Sequence, residues 1–159
     1  MTRVLLVCTG NICRSPLAEA LLRRELERRG ADGIEVGSAG TGAWDGAPAS
    51  EGAYLVGLEH GLDLSDHKAR LLTREAVRDA DLILTMSRHQ RSRADDLGAD
   101  GRALLLGEYA GLKGSMAEVS DPFGSDIEVY RETFAQLEGL VARAADRLVG
   151  DRDRVDGGA

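Results

Sequence analysis

A single α/β domain, with a four-stranded parallel sheet and helices on both faces, is the fold this sequence predicts. Three observations predict it. Four short apolar runs, Val4-Leu5-Leu6-Val7, Ile34-Glu35-Val36, Leu82-Ile83-Leu84-Thr85-Met86 and Ala103-Leu104-Leu105-Leu106, are spaced through the chain. Helical periodicity fills the intervals between them, so consecutive strands are parallel and joined by right-handed crossovers. The first run is apolar on every residue, as a strand covered on both faces must be.

The elements follow in order. Behind the first strand, Ser15 reads as a helix N-cap and Pro16 as the first helical position. Leu17, Leu21, Leu22 and Leu26 then recur at helical spacing, and Arg28-Arg29-Gly30 closes the helix. The short second strand runs into a Gly-rich loop, Ser38 to Gly46. A second helix is predicted from Pro48 to Glu59, weakened by Gly52 and Gly57. Thr73 caps a short helix before the third strand. Ser87 with Gln90 makes a capping box for a helix ending near Leu97-Gly98. After the fourth strand, residues 107–124 read as a loop too long for a simple connection, which marks it as a functional candidate. Ser125 with Glu128 reads as another capping box. Ile127, Tyr130, Phe134, Leu137, Val141, Ala144 and Leu148 form the cleanest helical stripe, a core face. The domain is expected over residues 1–150, with Asp151 to Ala159 a frayed polar tail.

Composition narrows the function. At 159 residues, 43% apolar and 30% charged, the chain is an ordinary globular sequence with one core. A net charge of −7 argues against nucleic acid or an anionic membrane as the main partner. No apolar run approaches the roughly 18 residues of a membrane span, and Met1-Thr2-Arg3 leads straight into a strand. The expectation is a cytoplasmic protein. Two Cys, five apart in one loop, are no secreted disulfide framework, and with three scattered His they make no structural zinc site. No metal or other cofactor is expected, and a monomer is.

The chemistry sits in Cys8-Thr9-Gly10-Asn11-Ile12-Cys13-Arg14-Ser15. A loop between a buried strand and a helix start directs backbone N–H groups at one spot, where the helix dipole adds positive charge. Arg14 can hold two oxygens of a tetrahedral oxyanion bidentately. The same positive field favours the thiolate of Cys8, its nucleophilic form. Phosphoryl transfer to a thiolate also requires a proton donor for the leaving group, and the loop has no carboxyl group. Asp121 is the best candidate; Pro122 holds it extended. From the residues alone, it is equally well the start of the turn before the last helix. Ser15 could donate to the Cys8 sulfur, cap the helix, or do both.

The run Val-Cys-Thr-Gly-Asn-Ile-Cys-Arg-Ser-Pro, residues 7–16, resembles the signature of the low-molecular-weight protein tyrosine phosphatases. The resemblance continues in Ser38-Ala39-Gly40, His67-Lys68-Ala69-Arg70 and Asp121-Pro122-Phe123, and so spans about residues 3–149. It implies the Rossmann-like phosphotyrosine protein phosphatase I fold and a phosphorylated protein as substrate. Cys8 would form a phosphocysteine, with phosphate held by Arg14 and the loop Thr9, Gly10, Asn11, Ile12, Cys13 and Ser15. Asp121 would be the acid, and later the base that activates water. Asn11, Ser15, Ser38 and His67 would form a hydrogen-bond network behind the cradle, although His67 also reads as a surface residue in a polar loop. Trp44 and Phe123 would form the rim that grips the substrate; a Trp packed under its own Gly-rich loop is the other reading.

The commonest family pattern has two aromatics after Asp-Pro, whereas here Gly124 follows Phe123. A bacterial branch acting on phosphoarginine resembles the chain in Thr9 and in Asp-Pro-Phe-Gly, but carries Thr where this chain has Ile12. An apolar wall at Ile12 favours phosphotyrosine. Cys13 is either a disulfide partner for Cys8 on oxidation or a small packing residue. A thiol-dependent arsenate reductase shares such a cradle but needs further cysteines, and none follows Cys13. A non-catalytic oxyanion-binding module would need neither the thiol nor Asp121.

Overall fold

The computed structural model describes residues 1–157. Four parallel strands, β1 (Thr2–Cys8), β2 (Ile34–Gly40), β3 (Leu82–Thr85) and β4 (Ala103–Leu105), form one sheet in the order β2-β1-β3-β4. The helices are α1 (Arg14–Arg28), α2 (Glu51–Glu59), α3 (Arg74–Asp79), α4 (Arg88–Asp96), α5 (Leu106–Tyr109) and α6 (Ile127–Gly157). The predicted fold class is the observed one.

The two-residue period of β1 sorts its side chains between two cores. Val4, Leu6 and Cys8 pack with residues of α1, α2, α5 and α6, while Leu5 and Val7 pack with residues of α3 and α4. The chain leaves β1 for β2 on one side, and β3 then pairs with the other side of β1. The carboxyl end of β1 is therefore the topological switch point, where open α/β sheets leave a crevice for a ligand. Cys8 is the last residue of that strand.

Several boundaries differ from the sequence reading. β2 continues through Ser38-Ala39-Gly40 instead of giving way to loop there. α2 starts at Glu51, and Ser50 caps it by accepting from the Ala53 N–H at 3.3 Å. Residues 107–124 are not one irregular loop: α5 takes Gly107 to Tyr109, and a 3₁₀ turn spans Gly114–Ala117. At the start of α6 the cap is Asp126, whose Oδ1 accepts from Val129 at 3.2 Å, and not Ser125.

The expected frayed tail is also different. α6 continues to Gly157, and only residues 158–159 of that tail lie outside the described residues. Asp151 pairs with Arg147 at 3.7 Å and with Arg154, and Arg152 reaches the Asp32 carbonyl at 2.6 Å. Charges at three- and four-residue spacing support a helix that has no apolar face to bury.

Gly52 explains why α2 can lie against α6. A Cβ at this position would stand 2.4–2.5 Å from ring carbons of the buried Tyr130. Gly52→Ala is expected to destabilise the protein by about 1–3 kcal/mol through overpacking. Urea denaturation monitored by circular dichroism checks this: an unchanged midpoint would mean that the two helices separate freely.

Candidate active site

The cradle is built by turning carbonyls outward. The carbonyl of Cys8 accepts from Thr41 (3.0 Å), that of Thr9 from Gly42 (2.9 Å) and that of Ile12 from Ser50 (2.8 Å). His67 Nε2 donates to the Asn11 carbonyl at 2.6 Å, which sets the proton of that imidazole on Nε2. No acceptor among the described residues takes the N–H of Thr9, Gly10, Asn11, Ile12 or Cys13. Unpaired N–H groups at the α1 N-terminus are an arrangement that favours an anion. Gly40 makes the approach of β2 possible, because a Cβ there would meet the Thr9 carbonyl at 2.4 Å.

Asn11 is the pivot behind the cradle. It is fully buried, with φ of 55°, a left-handed conformation that Asn tolerates better than most residues. Its Oδ1 accepts from the Arg70 backbone N–H at 3.0 Å, and a backbone N–H can only donate. Nδ2 must then donate to Ser15 Oγ (2.8 Å) and to Ser38 Oγ (2.9 Å). Ser38 in turn donates to Glu19 Oε1 at 2.5 Å. With one lone pair of Ser15 Oγ occupied by Asn11, its proton is free for the Cys8 sulfur at 2.9 Å. The chain can thus end on a hydroxyl donor facing the Cys8 sulfur. Ser15 does not cap the helix: α1 begins at Arg14, its cap is Cys13, and no side chain caps it.

Arg14 is 4% exposed and is held on one edge, NH1 donating to the Val119 carbonyl at 2.9 Å. Its NH2 lies 3.7 Å from Asp121 Oδ2. Its Nε is buried with no hydrogen-bond partner in the protein. A buried, unpartnered donor on a cation is costly unless a ligand takes it. The cleft beside it is about 180 Å³ and is lined by Cys8, Thr9, Gly10, Ile12, Cys13, Arg14, Asp121 and Phe123. The Asp121 carboxylate is half exposed, and its Oδ1 accepts from the Phe123 N–H at 3.0 Å. A thiol, a buried guanidinium with loop N–H groups, and a carboxyl group thus share one opening. A larger cavity of about 420 Å³ is lined by Glu19, Ser38, His67 and Arg70, but no cysteine lines it.

The family model for the low molecular weight phosphotyrosine protein phosphatases matches residues 3–154. The chain belongs to that family. Among curated relatives, it is 38% identical over 137 residues to the probable low molecular weight protein-tyrosine-phosphatase EpsP of Ralstonia solanacearum, covering 85% of this chain and 88% of that one. It is also 38% identical over 151 residues to the protein-arginine-phosphatase of Bacillus subtilis, covering 94% and 98%. Among solved structures, a mutant of the YwlE arginine phosphatase with a phosphorylated active-site serine superposes with a TM-score of 0.88, at 36% identity and 95% and 98% coverage. The protein is therefore a hydrolase of the protein phosphatase class.

Not every expected site residue of this phosphatase reaches the cleft. Trp44 is 85% exposed and does not line it, so it is neither packed under its loop nor part of the cleft wall. Phe123, 63% exposed, does line it. His67 and Ser38 stand behind the cradle with Asn11, as the resemblance implies. Cys13 is a free, buried thiol engaged with Ser50 Oγ at 3.1 Å and Tyr130 Oη at 3.4 Å. Burial pushes its pKa up, and the nearby Asp121 and Cys8 add to the rise against those two hydrogen bonds. It stays a neutral thiol at neutral pH.

Sequence reasoning missed three supports. Gln90, fully buried, donates from Nε2 to Thr9 Oγ1 at 3.1 Å, while its Oε1 takes the N–H of Met86 and Ser87. Its place in the capping box was legible; its second job was not. Ser87 Oγ pairs with His89 Nδ1 at 2.9 Å, and His89 Nε2 faces Thr9 Oγ1 at 3.5 Å. Glu19, one turn into α1, is the terminal acceptor of the Asn11 network.

Proposed function

We propose that this phosphatase hydrolyses phosphotyrosine in protein substrates through a phosphocysteine on Cys8. The observation that carries the reading is the buried Arg14 guanidinium, its Nε unpartnered beside five loop N–H groups without acceptors. Such an array matches the equatorial oxygens of a transferring phosphoryl group. Cys8 Sγ attacks phosphorus as the P–O bond to the leaving group breaks, and Asp121 gives that oxygen a proton. Asp121 then takes a proton from the water that attacks the phosphocysteine. The P–S bond breaks, and the departing thiolate is received by the Ser15 hydroxyl. Arg14 and the amides supply the positive charge, so the reading needs no metal. A monomer acting in the cytoplasm completes the proposal. Supporting it, no helix among the described residues is long and apolar enough to cross a membrane, and the net charge is −7.

Relatives of nearly equal identity include both tyrosine and arginine phosphatases, so the choice rests on the cleft. Ile12 and Phe123 both line it. A branched apolar side chain packs on an aryl ring and offers no partner to guanidinium N–H groups. Leaving those unpaired disfavours phosphoarginine by about 10- to 10²-fold. The test compares kcat/KM on matched phosphotyrosine and phosphoarginine peptides, with and without EDTA, for wild type and Ile12→Thr. Wild type is expected to prefer phosphotyrosine, to ignore EDTA, and to lose preference when Ile12 becomes Thr. A wild type that prefers phosphoarginine would overturn the substrate assignment, and a ratio unmoved by the substitution would remove Ile12 from it.

A further inference from the structure

The cleft has a neighbour. Phe123, which lines it, also lines a second depression of about 320 Å³ with Leu55, Ile127 and Tyr130, and with Gly52 and Glu51 at the α2 end. Ser50 and Ser125 complete its lining, but most of the exposed wall is apolar. The Tyr130 ring is 4% exposed and its hydroxyl is turned to Ser50 at 3.1 Å and Cys13 at 3.4 Å, so it brings the groove no free polar atom. Gly52, where any Cβ would strike the ring, lets the α2 backbone lie directly on it. Around it, Phe123 is 63% and Leu55 42% exposed, large apolar side chains with nothing over them. Contiguous apolar surface beside a polar cleft marks a recognition site.

We propose that this groove is a specificity subsite that takes an apolar side chain flanking the phosphorylated residue in the substrate polypeptide. The inference rests on the reading of the adjoining cleft as the phosphatase site. Two observations choose the occupant. The cleft holds about 180 Å³, room for one phosphorylated side chain, so the rest of a protein substrate must cross the rim, and Phe123 is common to both depressions. Successive residues of an extended chain advance about 3.3 Å each, so a neighbour one to three positions away falls within reach of such a groove. The charge at its edge is acidic, from Glu51, with Asp121 on the cleft side, so acidic flanking residues are repelled and apolar or basic ones tolerated.

The test is a series of phosphotyrosine peptides carrying Leu, Ala, Asp or Lys at each of three positions on either side, read as kcat/KM. The expected result is one position at which Leu exceeds Asp by about 10-fold or more. Leu55, on the surface of α2 and outside the cleft, is the residue to change. Leu55→Asp should abolish the Leu preference and raise Lys, while Leu55→Lys should abolish it and raise Asp. Both variants should hydrolyse p-nitrophenyl phosphate within about twofold of wild type, because that substrate does not reach the groove. A flat series from a wild type that hydrolyses p-nitrophenyl phosphate would overturn the subsite and leave the proposed function standing. So would a preference that survives both substitutions, or equal losses on peptide and p-nitrophenyl phosphate. A dimer in sedimentation velocity that Leu55→Asp dissolves would assign the groove to a second copy of the chain and overturn it as well. No hydrolysis of p-nitrophenyl phosphate by wild type would instead remove the proposed function on which the subsite depends.

Discussion

Cys8→Ser is expected to lower kcat for aryl phosphates by about 10⁴-fold or more while leaving the binding of inorganic phosphate within about threefold of wild type. The two halves of this result come from separate parts of the cradle. Chemistry depends on a sulfur at the end of β1 whose anion is met by the Ser15 hydroxyl at 2.9 Å. A serine hydroxyl at position 8 ionises far less readily and would have to give its proton away before attacking, and the cradle offers it no base: Ser15 already has a donor, Asn11, on its oxygen. Binding depends on Arg14 and the loop N–H groups, which the substitution does not touch, since Arg14 is fixed by Val119 and the loop carbonyls by Thr41, Gly42, Ser50 and His67. Steady-state kinetics on p-nitrophenyl phosphate and calorimetry with phosphate read the two halves independently. An active serine variant would remove Cys8 as nucleophile. Loss of both activity and phosphate binding would show that the sulfur holds the loop in shape.

The cradle was legible because its chemistry is contiguous. Residues 8–15 carry the nucleophile, the guanidinium and the loop residues, and an apolar run before them and helical spacing after them place that stretch at a strand-to-helix turn. What was not legible lies in contacts between distant residues. Arg14 meets a carbonyl 105 positions away, and Thr9 meets Gln90 81 positions away. Cys13 meets Tyr130 117 positions away. None of these partners carries a local signal of the pairing. Ser15 illustrates the other kind of miss. A serine before a proline and an apolar stripe is good capping grammar, but the helix starts two residues earlier than that grammar implies, and the hydroxyl meets the Cys8 sulfur instead. Asp151 to Ala159 reads as a tail because it is polar and Gly-rich. Its charges at helical spacing are what continue α6 to Gly157. The resemblance places Trp44 on the rim, and a Trp in a Gly-rich loop also reads as packed under that loop. The Gly-rich loop leaves its ring in solvent.

Asp121→Asn is expected to slow turnover by about 10²-fold or more when the leaving group is a poor one such as phenol or tyrosine, and far less when it is p-nitrophenol. The difference follows from what the carboxyl group supplies. A poor leaving oxygen needs a proton as the P–O bond breaks, and the groups lining the floor of the cleft, the Cys8 sulfur, the Arg14 guanidinium and the loop amides, are committed to attack or to holding phosphate. Asp121 also borders the cleft. It is half exposed and tied down by one backbone N–H, from Phe123, at 3.0 Å, and its Oδ2 stands 3.7 Å from Arg14. An ion pair that long and that exposed contributes little stability, so its loss should leave folding and phosphate binding nearly unchanged. Asn keeps the size and can still accept from Phe123, which confines the change to the missing proton. Comparing kcat across aryl phosphates of graded leaving-group pKa gives the decisive slope. It should be shallow for wild type, where the proton offsets the developing charge, and steep for the variant. Parallel slopes, with the same loss on every substrate, would make Asp121 a structural residue of the Pro122 turn and leave the leaving group to be protonated by water.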